Sequence, residues 1–382
     1  MIPFDFELQK RIFKLHFKHL GFSPTTLFYL FISLPMIVSG HLIHQFFFLM
    51  DEIFFRSYRK ISTDKTIFIV GPPRCGTSTM LDILNHSDEI TSMKMWGITV
   101  APAISEKLLY LQLGKLDRFL GSPLFKLYNK LNDKLLGDFK KVHDTNLFNF
   151  EEDAMLFYHS ANSPYYPMLF PFEELKTPFL DFDQSTTPEY KRKYMNYYKR
   201  CIQKHLYVYG KDKIYLSKNP NFCPWIHTIK EHFKTAKFIF MTRTPYKVVP
   251  SILTLSTFFG GYKKYNLDIE AVKIGALTAT QVQYNYPFEA MDFEDKEHYA
   301  MIQFDDLVSD PKETVENLLN QFDLNCPDEL QRILDQRSKK EKNYVSQNKY
   351  SFEKYNISHE EFLSYFEEIL VRFGYEEAEA EA

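Results

Sequence analysis

The sequence predicts an α/β protein: a P-loop-like parallel sheet flanked by helices, with a mainly helical insertion and a Phe-rich helical cap at the N-terminus. Three observations predict it. From about Lys65 onward, short apolar runs alternate with helical patterns, as parallel strands joined by crossovers require. The first run enters a turn punctuated by Gly71 and Gly76, in the stretch "IFIVGPPRCGTST" from Ile67 to Thr79. Finally, Arg74, Lys218 and Arg243 follow three of the runs closely, at the strand ends where ligands of open α/β sheets collect.

Taken in chain order, residues 1–60 form the cap. The 37 Phe and 25 Tyr bring the aromatic share to 17%, and many of the Phe fall in this segment. From Thr26 to Met50 the chain reads "TLFYLFISLPMIVSGHLIHQFFFLM", which is long enough to span a bilayer. Pro35, Gly40, His41, His44 and Gln45 interrupt it, so it is not read as a transmembrane span, and the preceding "LQKRIFKLHFKHL" is unlike a signal peptide. Two readings stay open for the cap. Its helices pack their Phe on the main domain, or they lie on a membrane surface with Lys10, Arg11, Lys14 and Lys18 near the headgroups.

Residues 61–375 form the main domain, and 376–382 an acidic tail of disordered composition. The strand runs are "TIFIV" (66–70), "KIYLS" (213–217), "KFIFM" (237–241) and "YAMIQF" (299–304), with helices expected at 77–86, about 223–234 and 246–258. Residues 90–212 show no equally clear strand and are expected to be helices roofing the site. Within them, "YKRKYMNYYKR" (190–200) reads as a solvated helix face.

The formal charge of −3, from 46 basic and 49 acidic residues, gives no reason to expect nucleic acid as a partner; any anion site is local. Four cysteines without a CxxC pair argue against a zinc site or disulfide framework and suit a reducing, cytoplasmic compartment.

The turn after the first run resembles a Walker A loop but lacks its Lys. Thr77 stands where that Lys would reach the β/γ phosphates, and Arg74 is the turn's basic residue. Backbone N–H groups from Cys75 through Ser78, two hydroxyls and the Arg74 fork suit a phosphate, and a monophosphate end better than a triphosphate. After "KFIFM", Arg243 leaves the strand and Ser251 lies one to two turns into the next helix, so both can meet one anion.

Together, "GPPRCGTST", "KNPN", "AKFIFMTRTPYKVVPS", "FDDLVSDP" and "NKYSFEKYNIS" resemble the PAPS-dependent sulfotransferase family in its bacterial-type branch, over roughly residues 45–375. The pairing of the loop with Arg-x7-Ser makes the resemblance specific. It implies a co-substrate, 3′-phosphoadenosine 5′-phosphosulfate, and no metal. Arg74, Cys75, Gly76, Thr77 and Ser78 would hold its 5′-phosphosulfate, and Arg243 and Ser251 its 3′-phosphate. Cys75 departs from the family's usual Ser, which removes one hydroxyl and keeps the backbone donor. Lys349, in the late segment that closes over the nucleotide, is either a further phosphate contact or a solvated lysine.

Sulfuryl transfer needs a base for the acceptor proton and cations for the departing phosphate oxygen. Arg74 and Lys218 are expected to supply the cations. Many relatives carry a His after the Lys-x-Pro motif, where "KNPNF" has Phe222. The base is therefore sought in "HDTNLFNFEEDAML" (143–156), which resembles the branch's Glu-Glu-Asp segment, with Glu152 first, Glu151 next and His143 third. The other reading of that run is a solvated helix face. The rival functions are a P-loop small-molecule kinase, disfavoured by the missing Lys, and a non-catalytic nucleotide-binding, membrane-associated protein. The acceptor is expected to be a small or lipid-like molecule brought to the mouth between the cap and the 90–160 helices.

Overall fold

The computed structural model describes residues 1–136, 146–258, 261–341, 352 and 355–376. Five parallel strands form its sheet: β1 (Ile67–Val70), β2 (Ile90–Thr91), β3 (Ile214–Lys218), β4 (Lys237–Thr242) and β5 (Tyr299–Gln303), in the order β2-β3-β1-β4-β5. The four expected strands are present. β2 is the addition, inside the stretch where no strand is expected, and at two residues it is too short to carry a period. β5 ends one residue before its apolar run does, because Phe304 opens the helix Phe304–Ser309.

β1 is buried along its whole length between β3 and β4, which explains its continuous apolar run. Phe68 packs against Tyr198, Phe222, Phe233 and Phe238 on one face of the sheet, while Ile67 and Ile69 join Met80, Leu84 and Met241 on the other. The chain leaves β1 for β2 and β3 on one side and returns to β4 on the other. The crevice of such a sheet falls at the carboxyl end of β1. Helices Thr77–Leu84, Ile226–His232 and Pro245–Phe258 follow β1, β3 and β4 as expected, the second after a 3-10 turn at Pro220–Trp225. In the long insertion helix Pro188–Tyr209, Tyr194, Tyr197 and Tyr198 are buried and Arg192 and Lys193 are exposed, the solvated face that the spacing implies.

The cap begins with helix Phe6–Leu20. A second helical stretch then runs without a break from Pro24 to Phe54, passing through a π-helical turn at Tyr29–Ser33. It is long and apolar enough to cross a membrane. Its polar residues, however, dock it along the body. His41 Nδ1 lies 2.7 Å from the His159 carbonyl, His44 Nδ1 2.7 Å from Glu106 Oε1, and Gln45 accepts from the Ile2 N–H. At its end, Asp51 accepts from Lys204 Nζ at 2.6 Å and from the N–H groups of Ile104 and Ser105, and the Lys204 ammonium lies over the rings of Phe48 and Tyr58. The outward face keeps its aromatics in solvent: Phe31 is 71% exposed and Phe54 69%. The expectation that the cap's Phe pack on the domain holds for Phe48 and fails for these. Of the cap's basic residues, Arg11 and Lys18 reach Glu174, while Lys10 and Lys14 stay exposed.

Candidate active site

The Gly71–Gly76 loop is held in shape by close packing. Gly71 has φ 133°, and a Cβ there would stand 2.1 Å from the Met241 carbonyl oxygen; at Gly76, with φ 83°, one would stand 2.6 Å from the Phe304 ring. No side chain fits at either position, so the turn lies directly against β4. Arg74 itself has φ 72°. Helix Thr77–Leu84 starts at the end of this turn, and its first N–H groups have no acceptor within the helix.

Around the loop the structure gathers the basic groups. Arg74 Nε donates to Ser251 Oγ at 3.1 Å, and Arg243 Nη1 donates to the Arg74 carbonyl at 3.3 Å. The Arg243 guanidinium lies 4.1 Å over the Phe304 ring, and the Tyr284 hydroxyl donates to the Arg243 carbonyl. Among the described residues the buried Arg243 Nε has no partner. A buried guanidinium donor of this kind is suited to an anion. Cys75 turns inward: its Sγ is 3.9 Å from the Tyr284 hydroxyl and burial pushes the thiol up to about 12. It offers a ligand its backbone N–H alone, as its departure from Ser implies. Ser78 is exposed and Thr77 buried.

The acidic segment differs from the helical run considered above. Phe150 bridges to Lys94 in an antiparallel pair, and Glu151 and Glu152 are extended; the 3-10 turn starts only at Asp153. The change from extended backbone to the 3-10 turn at Asp153 separates the roles. Asp153 is buried and accepts from the Tyr198 hydroxyl (2.6 Å), the Tyr215 hydroxyl (2.8 Å) and Ser217 Oγ (3.0 Å), bracing the segment on β3. Burial pushes its carboxyl up to about 6, against the pull of those donors. Glu152 Oε1 lies 2.9 Å from Lys218 Nζ, and its Oε2 accepts from the Tyr165 hydroxyl. Glu151 Oε1 is 3.5 Å from the same ammonium and accepts from the Glu152 N–H.

Lys218 is therefore placed differently from the sequence expectation. It is the last residue of β3, buried, with its ammonium on the two carboxylates and not on the wall of the site. Burial alone would lower its pKa, but Glu152 and Glu151 together outweigh this and hold it raised. Tyr165 is half-buried at the cavity wall; desolvation and then the Glu152 charge push its phenol far above the usual range, so it acts as a donor. His143 and Lys349 lie outside the described residues.

A cavity of about 1360 Å³ joins these parts. Arg74, Gly76–Thr79 and Arg243 line it together with Glu151, Glu152 and Tyr165, and so do Phe28, Met36 and Ile37 of the cap. Ser251 sits behind Arg74, 8% exposed. The sequence reading missed Tyr165 and Phe304. Nothing distinguishes Tyr165 among 25 tyrosines, whereas Phe304, just past a strand end, occupies a position where a ligand edge is expected.

The fold and site define an α/β protein whose crevice at the end of β1 gathers Arg74, Arg243 and the glycine turn. The sequence matches the sulfotransferase family over residues 66–328, and the chain belongs to that family. Its fold is shared by two bacterial sulfotransferases. STF9 from Mycobacterium avium superposes with a TM-score of 0.73 at 16% identity, covering 98% of this chain and 93% of that one. STF1 from Mycobacterium tuberculosis gives 0.69 at 16% identity, with 94% and 91% covered. No curated protein matches the sequence.

Proposed function

We propose that this sulfotransferase moves the sulfuryl group of 3′-phosphoadenosine 5′-phosphosulfate to a hydroxyl or amine of an amphiphilic acceptor. The observation that carries the reading is the shared cavity, where Arg74, Arg243 and the loop meet Glu151, Glu152 and the apolar side chains of the cap. The loop and Arg74 take the 5′-phosphosulfate, and Arg243 with Ser251 takes the 3′-phosphate, the Arg74–Ser251 hydrogen bond setting the two groups side by side. The acceptor oxygen or nitrogen attacks sulfur in line, the bond from sulfur to the phosphate oxygen breaks, and the acceptor proton passes to Glu152. The sulfated acceptor and the 3′,5′-bisphosphate leave. Arg74 stabilises the charge on the departing phosphate. Lys218 acts on the same step through Glu152, whose Oε1 it holds.

Calorimetry tests the donor. The 3′,5′-bisphosphate is expected to bind much more tightly than ATP and to need no Mg²⁺. Equal affinity for ATP, or strict metal dependence, restores the kinase reading. Arg243→Ala is expected to weaken bisphosphate binding by ~1.5–3 kcal/mol, the range of charge-assisted hydrogen bonds.

The cap supports the acceptor class. Phe28, Met36 and Ile37 line the cavity from the helical segment whose other face is exposed, so residues near 10–50 would rest on a membrane surface and pass the acceptor inward from it. A screen with radiolabelled donor and paired acceptors, with and without a long alkyl chain, should favour the alkylated member. Equal use of the small polar member removes the amphiphilic acceptor and leaves sulfuryl transfer standing.

A further inference from the structure

The insertion carries a second apolar surface that the cavity does not use. Helices Ile104–Phe119 and Pro123–Leu136 are joined by a turn at Leu120–Ser122. Asp117 ties them together, its carboxylate accepting from the Leu124 and Phe125 N–H groups at 2.8 and 3.2 Å. The base of this hairpin is embedded at Ile104, Glu106 and Lys107. Beyond Lys107, Leu109, Leu113, Leu116 and Leu120 are exposed, and Phe119 is 85% exposed. Soluble monomers rarely leave so continuous a patch in water.

The second helix has three distinct sides. Tyr128 and Asn132 face inward: the Tyr128 ring meets Phe148, and its hydroxyl accepts from the Leu147 N–H. Leu124, Leu127 and Leu131 form an exposed apolar line beside them. Lys126, Lys130 and Lys134, four residues apart and all exposed, form a basic line next to the leucines. Lys115 and Arg118 add charge from the first helix, and across 108–134 the exposed acid is Asp133. The hairpin also grows directly from the cap. Ile104 and Ser105 donate to Asp51, and Ser105 Oγ donates to the Phe47 carbonyl.

We infer that the 104–136 hairpin is a docking element for an anionic lipid bilayer, with its leucines in the interface and the Lys126–Lys130–Lys134 line at the headgroups. A leucine line bordered by a lysine line is the pattern of an interfacial helix. A second copy covering the same leucines would set two basic lines near each other with Asp133 as the nearby acid. The inference extends the interfacial-acceptor reading, but it moves the electrostatic contact from the cap, where Arg11 and Lys18 are taken by Glu174, to the hairpin.

Flotation of the full chain tests it, with vesicles of phosphatidylcholine alone or mixed with phosphatidylglycerol. The unaltered protein should float with the anionic vesicles, less with the neutral ones, and less in high salt. Two variants with intact caps, Lys126→Glu/Lys130→Glu/Lys134→Glu and Leu124→Ser/Leu127→Ser/Leu131→Ser, should each lose at least about tenfold in vesicle partitioning. Both should keep their bisphosphate affinity, which reports on the fold and separates loss of docking from loss of the donor site. Variants that float like the parent overturn the inference. So does a parent that floats with neither vesicle, or a dimer in sedimentation that the leucine variant converts to monomer.

Discussion

Glu152→Gln is expected to lower kcat by about 10²–10⁴, or ~3–5 kcal/mol of barrier, while leaving the fold and bisphosphate affinity unchanged. The substitution keeps the shape of a side chain held at both oxygens. An amide oxygen can still face the Lys218 ammonium and an amide N–H₂ the Tyr165 oxygen, so the loss falls on proton acceptance. Glu151→Gln is expected to be milder. Glu151 sits deeper, 3.5 Å from Lys218, and its carboxylate is already occupied by the Glu152 N–H. Single-turnover kinetics with calorimetry on the same preparations checks this. Unchanged turnover in Glu152→Gln together with a dead His143→Ala would move the base to His143.

Asp51→Ala is expected to destabilise the protein by about 3–5 kcal/mol, because it leaves the Lys204 ammonium buried and unpaired. Both side chains of this ion pair are 0% exposed, and Asp51 also caps the hairpin through the Ile104 and Ser105 N–H groups. Replacing both partners, as in Asp51→Leu/Lys204→Met, removes the uncompensated charge and should recover much of the loss, leaving the missing cap as the residue. Urea unfolding of the two variants decides it. A single variant within about 0.5 kcal/mol of the parent would mean that the cap helix is not anchored through this pair.

The longer strands and the glycine turn after β1 were legible because each rests on local chemistry. A fully buried parallel strand reads as a continuous apolar run, so Ile67–Val70 and Lys237–Thr242 stand out, and a turn without room for a Cβ reads as Gly71 and Gly76. β2 had no such signal, since two residues show no period. The alternative reading of the Glu151–Asp153 run as a solvated helix face fails, since Glu152 is extended and Asp153 is buried. A three-residue acidic cluster suits the first turn of a helix, and the bridge of Phe150 to Lys94 and the Asp153 contacts to β3 hold Glu151 and Glu152 out of the turn that starts at Asp153.

The sequence by itself determined four of the five strands, the glycine turn after β1 and the family resemblance, because these depend on residue type and short spacing. Tertiary structure decided what long-range pairing alone can settle. Lys218, a strand-end cation by position, is turned onto Glu151 and Glu152 by a segment more than sixty residues earlier in the chain. His41, His44, Gln45 and Asp51, which look like flaws in an apolar helix, are its docking points, since a polar group placed on the body must find a partner there. The same docking turns Phe31, Phe46 and Phe54 outward, and one helix can bury only the side it presents to the protein.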